Sequence, residues 1–268
     1  MLAIIRGAGD IATAIALRLV RCGFSVVMTE VERPLTVRRT VAFSEAVRLG
    51  KTQVEGVTAA RARDVAHVRE LLDAGVVPVL VDPACVCVAS LAPNVVVDAI
   101  LAKRNLGTRM GMAPVVVAVG PGFTAGRDCY AVVETMRGHT LGRVYYEGSA
   151  LPNTAVPGLV GGFAGERVLR APAAGVFRGV AAIGSHVEEG QVVAYVGDAP
   201  VTATLTGMLR GLLADGVPVT RGLKCGDVDP RDNAEYCNLV SDKGLAVAGG
   251  VLEAILAVGG NLSSNKNR

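Results

Sequence analysis

The chain has no tryptophan, three histidines and only 4% aromatic residues, and its 27 basic side chains exceed its 24 acidic ones by three without forming a dense basic block. Such a diffuse charge excess gives no footprint for nucleic acid. Long apolar runs are missing as well. The N-terminal one is broken by Arg6, and no later stretch reaches the length of a membrane span without Asp, Glu or Pro. Neither an export signal nor regular cysteine spacing is present, so Cys22, Cys85, Cys87, Cys129, Cys225 and Cys237 are expected as reduced thiols of a cytoplasmic protein. Zinc is disfavoured too, since Cys85-x-Cys87 is tighter than the usual Cys-x-x-Cys clip and has no histidine beside it, and Cys87, Cys225 and Cys237 read as inert buried thiols in preference to nucleophiles or selenium-handling thiols. No metal site is expected.

What is present is glycine, 33 of 268 residues, within a composition that is 51% apolar. This describes a tightly turned globular protein, long enough for two domains with separate cores. Leu2 to Arg6 reads as a strand, followed by Gly7-Ala8-Gly9-Asp10-Ile11-Ala12 and a helical run to Cys22-Gly23. That is the G-x-G-x-x-A form of the dinucleotide fingerprint. Gly7 makes the tight turn, Gly9 admits a phosphate near the backbone, and Ala12 allows close contact of helix and strand. The helix start favours an anion, with Asp10 as a cap that also repels one. A second strand from Ser25 ends at Glu30, where a ribose-binding carboxylate belongs. Arg33, Arg38 and Arg39 read either as cations for a 2′-phosphate or as a solvated basic loop.

Further along, Val41–Leu49 and Ala60–Ala74 read as helices, and Thr52–Val54, Pro78–Asp82, Val95–Asp98 and Val115–Val119 as strands, the last two as continuous apolar runs typical of buried parallel strands. The alternation predicts a doubly wound sheet whose ligand crevice gathers the Gly7 loop, Glu30, Asp82 and Asp98 at the strands' carboxyl ends. A second glycine loop, Gly120 to Gly126, lies between a strand and a helix expected over Asp128–Met136. It reads as another anion cradle, involving Gly120, Gly122 and Thr124, or as a plain connection, since it has no Walker lysine. Arg137, His139 and Arg143 supply cations near it. Asp227 and Asp229 precede Pro230, a pattern read as a turn in preference to a hard-cation site.

Residues 175–190 and 207–222 match at an offset of 32, both fitting G-x-x-R-G-x4-G-x-x-V-x-x-G. A unit of this size cannot bury its own face and must pack against its twin, so a small two-fold β domain is expected. The halves resemble those of biotinyl or lipoyl-type barrel-sandwich domains. The hairpin at Gly197-Asp198-Ala199-Pro200 lacks the lysine of a swinging-arm carrier, leaving docking or site shaping as its role.

Taken in order, Arg6–Thr13, Val54-Glu55-Gly56, Gly120–Gly126, Glu134–His139, Asp227–Arg231, Ser241-Asp242-Lys243 and Gly249–Ala254 closely resemble the YqeB-type accessory proteins of selenium-dependent molybdenum hydroxylases. The resemblance runs from the first strand to about Leu256. It implies a role in maturing such enzymes, connected with selenium insertion at the molybdenum centre, and a molybdenum hydroxylase client as partner. The N-terminal part is also similar to chaperones that sulfurate the molybdenum cofactor of xanthine dehydrogenase. Candidate ligands are therefore NAD(P) and molybdopterin cytosine dinucleotide.

The expected fold is α/β, a Rossmann-like doubly wound sheet over residues 1–163 followed by a small β barrel-sandwich domain with a closing helix over 164–258, with a disordered tail at 259–268. Cofactor-binding positions are Gly7, Gly9, Asp10, Ala12, Glu30, Gly120, Gly122 and Thr124. Candidate catalytic positions are His139, Arg137, Lys243 and Cys237. Three readings stay open: a maturation factor, a free-standing NAD(P)-dependent oxidoreductase using His139 or Lys243 for proton transfer, and a non-catalytic scaffold. Whether the chain is an enzyme, and whether it forms a homo-oligomer, is left open by its residues.

Overall fold

The computed structural model describes residues 1–154 and 158–265. The chain divides into two compact units, Met1–Glu32 with Phe43–Asn153 and Val240–Arg268, and Arg33–Ala42 with Thr154–Leu239.

The first unit opens with β1 (Leu2–Arg6), α1 (Asp10–Arg21) and β2 (Ser25–Glu30). Then come α2 (Glu45–Leu49), β3 (Lys51–Val54), β4 (Val57–Ala62), α3 (Val65–Asp73), β5 (Val77–Val81) and α4 (Val88–Leu91). It continues through β6 (Val95–Asp98), β7 (Val115–Val119), β8 (Ala131–Val133) and β9 (Val144–Tyr145), and α5 (Asp242–Asn265) returns to it. The nine strands form one mixed sheet in the order β3-β4-β5-β2-β1-β6-β7-β8-β9. Pairing is parallel from β4 to β8 and antiparallel at both edges. The centre is parallel because β1, β6 and β7 are apolar on both faces and buried throughout except at Leu2. At one edge β3 and β4 join through Glu55-Gly56, both with positive φ (44° and 83°), as a two-residue I′ hairpin requires.

The last helix is held by small residues. A Cβ on Gly244 would lie 2.8 Å from that of Ala14 on α1, and one on Gly250 would strike the Gly142 carbonyl oxygen. By length and composition Asp242–Gly260 could cross a membrane, but Val247, Ala248, Val251, Ala254 and Ile255 are buried within this unit, where the helix contacts α1, β7, β8 and β9. Of the expected tail, helix is described to Asn265, and residues 266–268 lie outside the described residues.

The second unit contains β10 (Val168–Arg170), β11 (Gly175–Gly179), β12 (His186–Val187), β13 (Val192–Val196), β14 (Ala199–Thr202), β15 (Gly207–Leu212), β16 (Pro218–Val219) and β17 (Lys224–Asp229). These make two four-stranded antiparallel sheets, β10-β17-β15-β12 and β14-β13-β11-β16. The 32-residue offset maps β10–β13 onto β14–β17, and each sheet takes two strands from each copy. The third strand of one copy pairs with the second strand of the other in both sheets. Neither copy buries its apolar face alone, and one core collects Phe177, Val187, Val196, Leu209, Leu212 and Val228 from both.

The expected class, a Rossmann-like doubly wound sheet followed by a barrel-sandwich, is therefore corrected. The large sheet is mixed and carries few helices. Ala60–Ala62 belongs to strand β4 where a helix was expected, and the helix expected over Asp128–Met136 is replaced by β8, whose apolar Ala131-Val132-Val133 is fully buried and pairs in parallel with β7. The connection from β6 to β7 has only a 3-10 turn, and none of the crossover helices after α1 and α3 exceeds five residues. The β module is two separate antiparallel sheets, and the helix expected to close it belongs to the first unit.

Candidate functional site

The carboxyl ends of β5, β2, β1 and β6 lie side by side, and they bring together Asp82, Glu30, the Gly7 loop and Asp98. Gly7 turns with φ 94°, and a Cβ there would lie 3.0 Å from the Ala99 carbonyl oxygen. The turn is thus required by packing against the segment after β6. Gly9 is the N-cap of α1 and, like any glycine, offers no side-chain cap; Ala12 is buried behind it, and Asp10 stands in the first turn. Glu30 reaches back to the loop, its carboxylate accepting from the Ala8 N–H at 2.9 Å and the Val31 N–H at 2.8 Å. Burial raises its pKa above the ordinary value, and those two hydrogen bonds only partly offset this. The residue chosen for a ribose hydroxyl therefore also ties down the phosphate loop.

Beside it lies a buried ion pair. Arg6 and Asp98 are each 1% exposed and 3.1 Å apart, and Thr108 accepts from Arg6 and donates to Asp98. Carbonyl oxygens of Pro83 and Leu106 take the other terminal nitrogen at 3.3 and 3.0 Å. The Arg6 Nε is buried with no hydrogen-bond partner.

After β5 the chain wraps around Asp82, whose carboxylate accepts from the Val86 N–H at 3.0 Å and the Cys87 N–H at 2.8 Å. Cys85 adopts a left-handed φ of 57° in this loop, and both Cys85 and Cys87 are buried. The neighbouring Cys87 thiol, as a hydrogen-bonding partner, lowers the Cys85 pKa most, and the Arg6 charge and the Thr29 hydroxyl add to this against burial and Asp82. Cys87 is pushed up by the same hydrogen bond, by burial and by the charges of Cys85 and Asp82. Burial raises Cys129 to about 12 and Cys225 to about 11, whereas Cys87 first and Arg6 after it shift Cys85 the other way. All six cysteines are free. Sequence reasoning tested the Cys85-x-Cys87 spacing against zinc and read Cys87, like Cys225 and Cys237, either as a nucleophilic or selenium-handling thiol or as an inert buried one; what it overlooked was Cys85, directly after an acidic strand end.

The second glycine loop is closed on itself. The Thr124 N–H is held by Asp128 at 2.8 Å, and the Ala125 and Gly126 amides by the carbonyls of Gly148 and Cys129. Gly120 and Gly122 accommodate neighbouring chain: Cβ atoms there would meet Thr135 at 3.0 Å and the Arg104 backbone at 2.6 Å. With β8 in place of a helix, there is no helix dipole behind the loop. Arg137 forms a bidentate pair with Asp242 at 2.7 and 2.8 Å, which places Lys243, the next residue, nearby at the start of α5. His139 is exposed on the same stretch. Cys237 lies in the second unit, 1% exposed, its thiol raised by burial and directed at the Leu209 carbonyl.

Arg38 and Arg39 also belong to the second unit, donating to the carbonyls of Tyr236, Leu239 and Leu212. Asp227 and Asp229 end strand β17, with the turn starting at Pro230. Arg210 binds both, Arg231 binds Asp229, and Arg167 binds Asp227, so their oxygens are committed to guanidinium groups. Among the described residues, no cluster of three or more His, Cys, Asp or Glu side chains could hold a metal ion.

The chain is similar to "Uncharacterized protein YqeB" of Escherichia coli K12. Identity is 55% over 255 residues, which cover 95% of this chain and 47% of that protein. The chain spans about half the length of the curated relative it matches. No family model matches. Two solved structures align over 85% of this chain and 84% of their own: an aspartoacylase family protein of Mesorhizobium loti (14% identity, TM-score 0.27) and a succinylglutamate desuccinylase/aspartoacylase of Rhodobacter sphaeroides (17%, 0.25). Likeness at those scores carries neither fold nor chemistry to this chain.

Proposed function

We propose that the chain is a maturation factor for selenium-dependent molybdenum hydroxylases, binding a nucleotide or a nucleotide-bearing molybdopterin at the carboxyl ends of β1 and β2 and assisting selenium insertion at the client's molybdenum centre. The reading draws on the ordered motif series from Arg6 to Ala254. The observation that carries the ligand part is the first turn of α1, a twelve-residue helix with no side-chain cap, beside a carboxylate at the end of β2. A helix start whose N-cap residue Gly9 has no side chain, together with the helix dipole, favours a phosphate, and Glu30 suits a ribose hydroxyl once its hold on Ala8 is shared. Bound there, a pterin nucleotide would supply the dithiolene that carries molybdenum, while the protein holds the phosphates and positions the metal end. The repeat unit is assigned to docking the client, and the cytoplasm, where thiols stay reduced, is the proposed setting.

Titration calorimetry with NAD, NADP, ATP, CTP and molybdopterin cytosine dinucleotide tests the ligand, and selenium content and activity of a co-expressed molybdenum hydroxylase test the role. Gly9→Asp is the decisive variant. Gly9 has φ −67°, which aspartate adopts freely, so the new carboxylate would cap α1 and repel phosphate without harming the fold. Binding is expected to weaken at least about tenfold with an unchanged melting temperature. Selective binding of NAD or NADP with turnover, and no effect on the client, would replace this reading with an oxidoreductase.

A further inference from the structure

Cys85 and Cys87 are not needed to hold a nucleotide, and neither is the buried Arg6 Nε that lacks an acceptor. They nevertheless sit at the same end of the sheet, on the loop that Asp82 organises after β5 and on the strand β1 that leads into Gly7. Pro83, Ala84 and Val86 around the two cysteines are exposed, Val86 at 71%, so the sulfurs lie directly beneath the outer surface of one loop. Two buried cysteines one residue apart on a turn that Asp82 holds, with the Arg6 guanidinium donating to the Pro83 carbonyl of the same loop at 3.3 Å, provide a nucleophile and a resolving group in one place.

We propose that Cys85 and Cys87 form a transfer dithiol, in which Cys85 accepts a zero-valent selenium or sulfur atom from a perthiol-type donor and Cys87 discharges it as selenide or sulfide. The proposal rests on the maturation reading for its choice of selenium. In the first step the Cys85 thiolate attacks the terminal selenium of a donor R–S–SeH. A bond forms from Cys85 Sγ to selenium, the donor's S–Se bond breaks, and R–S⁻ leaves with selenium still zero-valent. In the second step Cys87 attacks Cys85 Sγ, forming the disulfide. The S–Se bond breaks, two electrons pass from the dithiol to selenium, and hydrogen selenide leaves with the Cys87 proton. An external dithiol reductant then restores both thiols.

The local groups order these steps. While Cys85 is a thiolate, its hydrogen bond and its charge keep the proton on Cys87. Loading Cys85 with selenium removes that charge, and Cys87 becomes easier to ionise just when it is needed, with Asp82 and burial left as the opposing influences. Arg6 and Thr29 stabilise negative charge on the first sulfur.

The test uses the full chain under anaerobic conditions, with glutathione selenopersulfide and glutathione persulfide as separate donors. Peptide mass spectrometry of the wild-type protein is expected to find the added atom on Cys85, or a Cys85–Cys87 disulfide with free selenide. Cys87→Ser is expected to trap the adduct, at least tenfold more persistent than in wild type, and Cys85→Ser to abolish it. An adduct confined to exposed Cys22, or equal discharge from Cys87→Ser and wild type, would overturn the proposal. Because location on the wild-type chain needs no variant, misfolding of either serine form does not spoil the test. Loading at Cys85 without any effect on a co-expressed molybdenum hydroxylase would keep the dithiol and remove the maturation reading. Full selenium content in a client matured by Cys85→Ser would remove the dithiol and keep the maturation reading.

Discussion

Both units bury arginine–aspartate pairs, but they use them differently. In the repeat unit Arg210 lies between Asp227 and Asp229, with Arg167, Lys224 and Arg231 as further partners, and every one is on or beside a strand of the same sheet. In the sheet unit Arg6 meets Asp98 where the strands end, donates to the Pro83 carbonyl of the cysteine loop at 3.3 Å, and retains one N–H without an acceptor. A buried charge whose hydrogen-bonding capacity is consumed within the fold holds strands together. One that keeps an unused donor beside a loop bearing two thiols is placed where chemistry can use it.

The repeat itself offers the most direct way to break that comparison, because Arg210 has a twin. Arg210→Ala takes from two buried carboxylates the one guanidinium they share, leaving Asp227 with Arg167 and Asp229 with Arg231, and is expected to cost about 3 kcal/mol in urea unfolding. Its exposed counterpart Arg178 lies 4.9 Å from the centre of the half-buried Tyr195 ring, and Arg178→Ala should cost under about 1 kcal/mol. Equal losses would show that the carboxylates are not what gives Arg210 its weight. Next in size is a backbone contrast. A Cβ on Gly207 would lie 2.5 Å from the Asp229 carbonyl oxygen, whereas its twin Gly175 meets the Val196 side chain at 3.1 Å. Gly207→Ala is expected to cost about 2–4 kcal/mol and Gly175→Ala about half of that, since only the side chain can yield.

A pH series sharpens the same point. Burial opposes ionisation of Asp229, but Arg231 and Arg210 outweigh it and hold the carboxyl below its ordinary 3.8. A depressed pKa contributes stability that is present above 3.8 and lost as pH falls through the folded value. The repeat unit should therefore weaken at acid pH below that point, and Arg210→Ala should move the loss upward, as followed by circular dichroism. The smallest effect concerns His186, raised above 6.5 by hydrogen bonds to Asp232 and Glu188. Its proton NMR titration should fall toward the ordinary value in Asp232→Asn. The associated stability is full below 6.5 and lost as pH rises through the raised pKa.

Local signals were legible where one stretch of chain carries all the information. The strand, glycine turn and helix from Leu2 to Arg21, and the pairing of the two repeats, follow from patterns written over neighbouring residues. Ala131-Val132-Val133 was not legible as a strand, because a short apolar run fits a buried helix or a buried strand equally, and only β7 alongside decides it. The role of Glu30 depended on where the Ala8 amide points, and that of Arg38 on carbonyls two hundred residues away. The thiol pair was visible as spacing, but Arg6 and Thr29 reach it from other strands, and without them Cys85-x-Cys87 has no chemistry to announce.

The exchange of strands between the two copies has an ancestral consequence. A chain bearing a single copy would present a gap in its sheet shaped for the second strand of another such chain, and two of them would complete each other as a symmetric dimer. The turn at Gly197-Asp198, which joins β13 to β14, is then the point where two formerly separate subunits became one polypeptide. Covalent linkage makes the encounter intramolecular and lets the halves differ, and they do: Arg210 is largely buried between two aspartates while Arg178 is exposed.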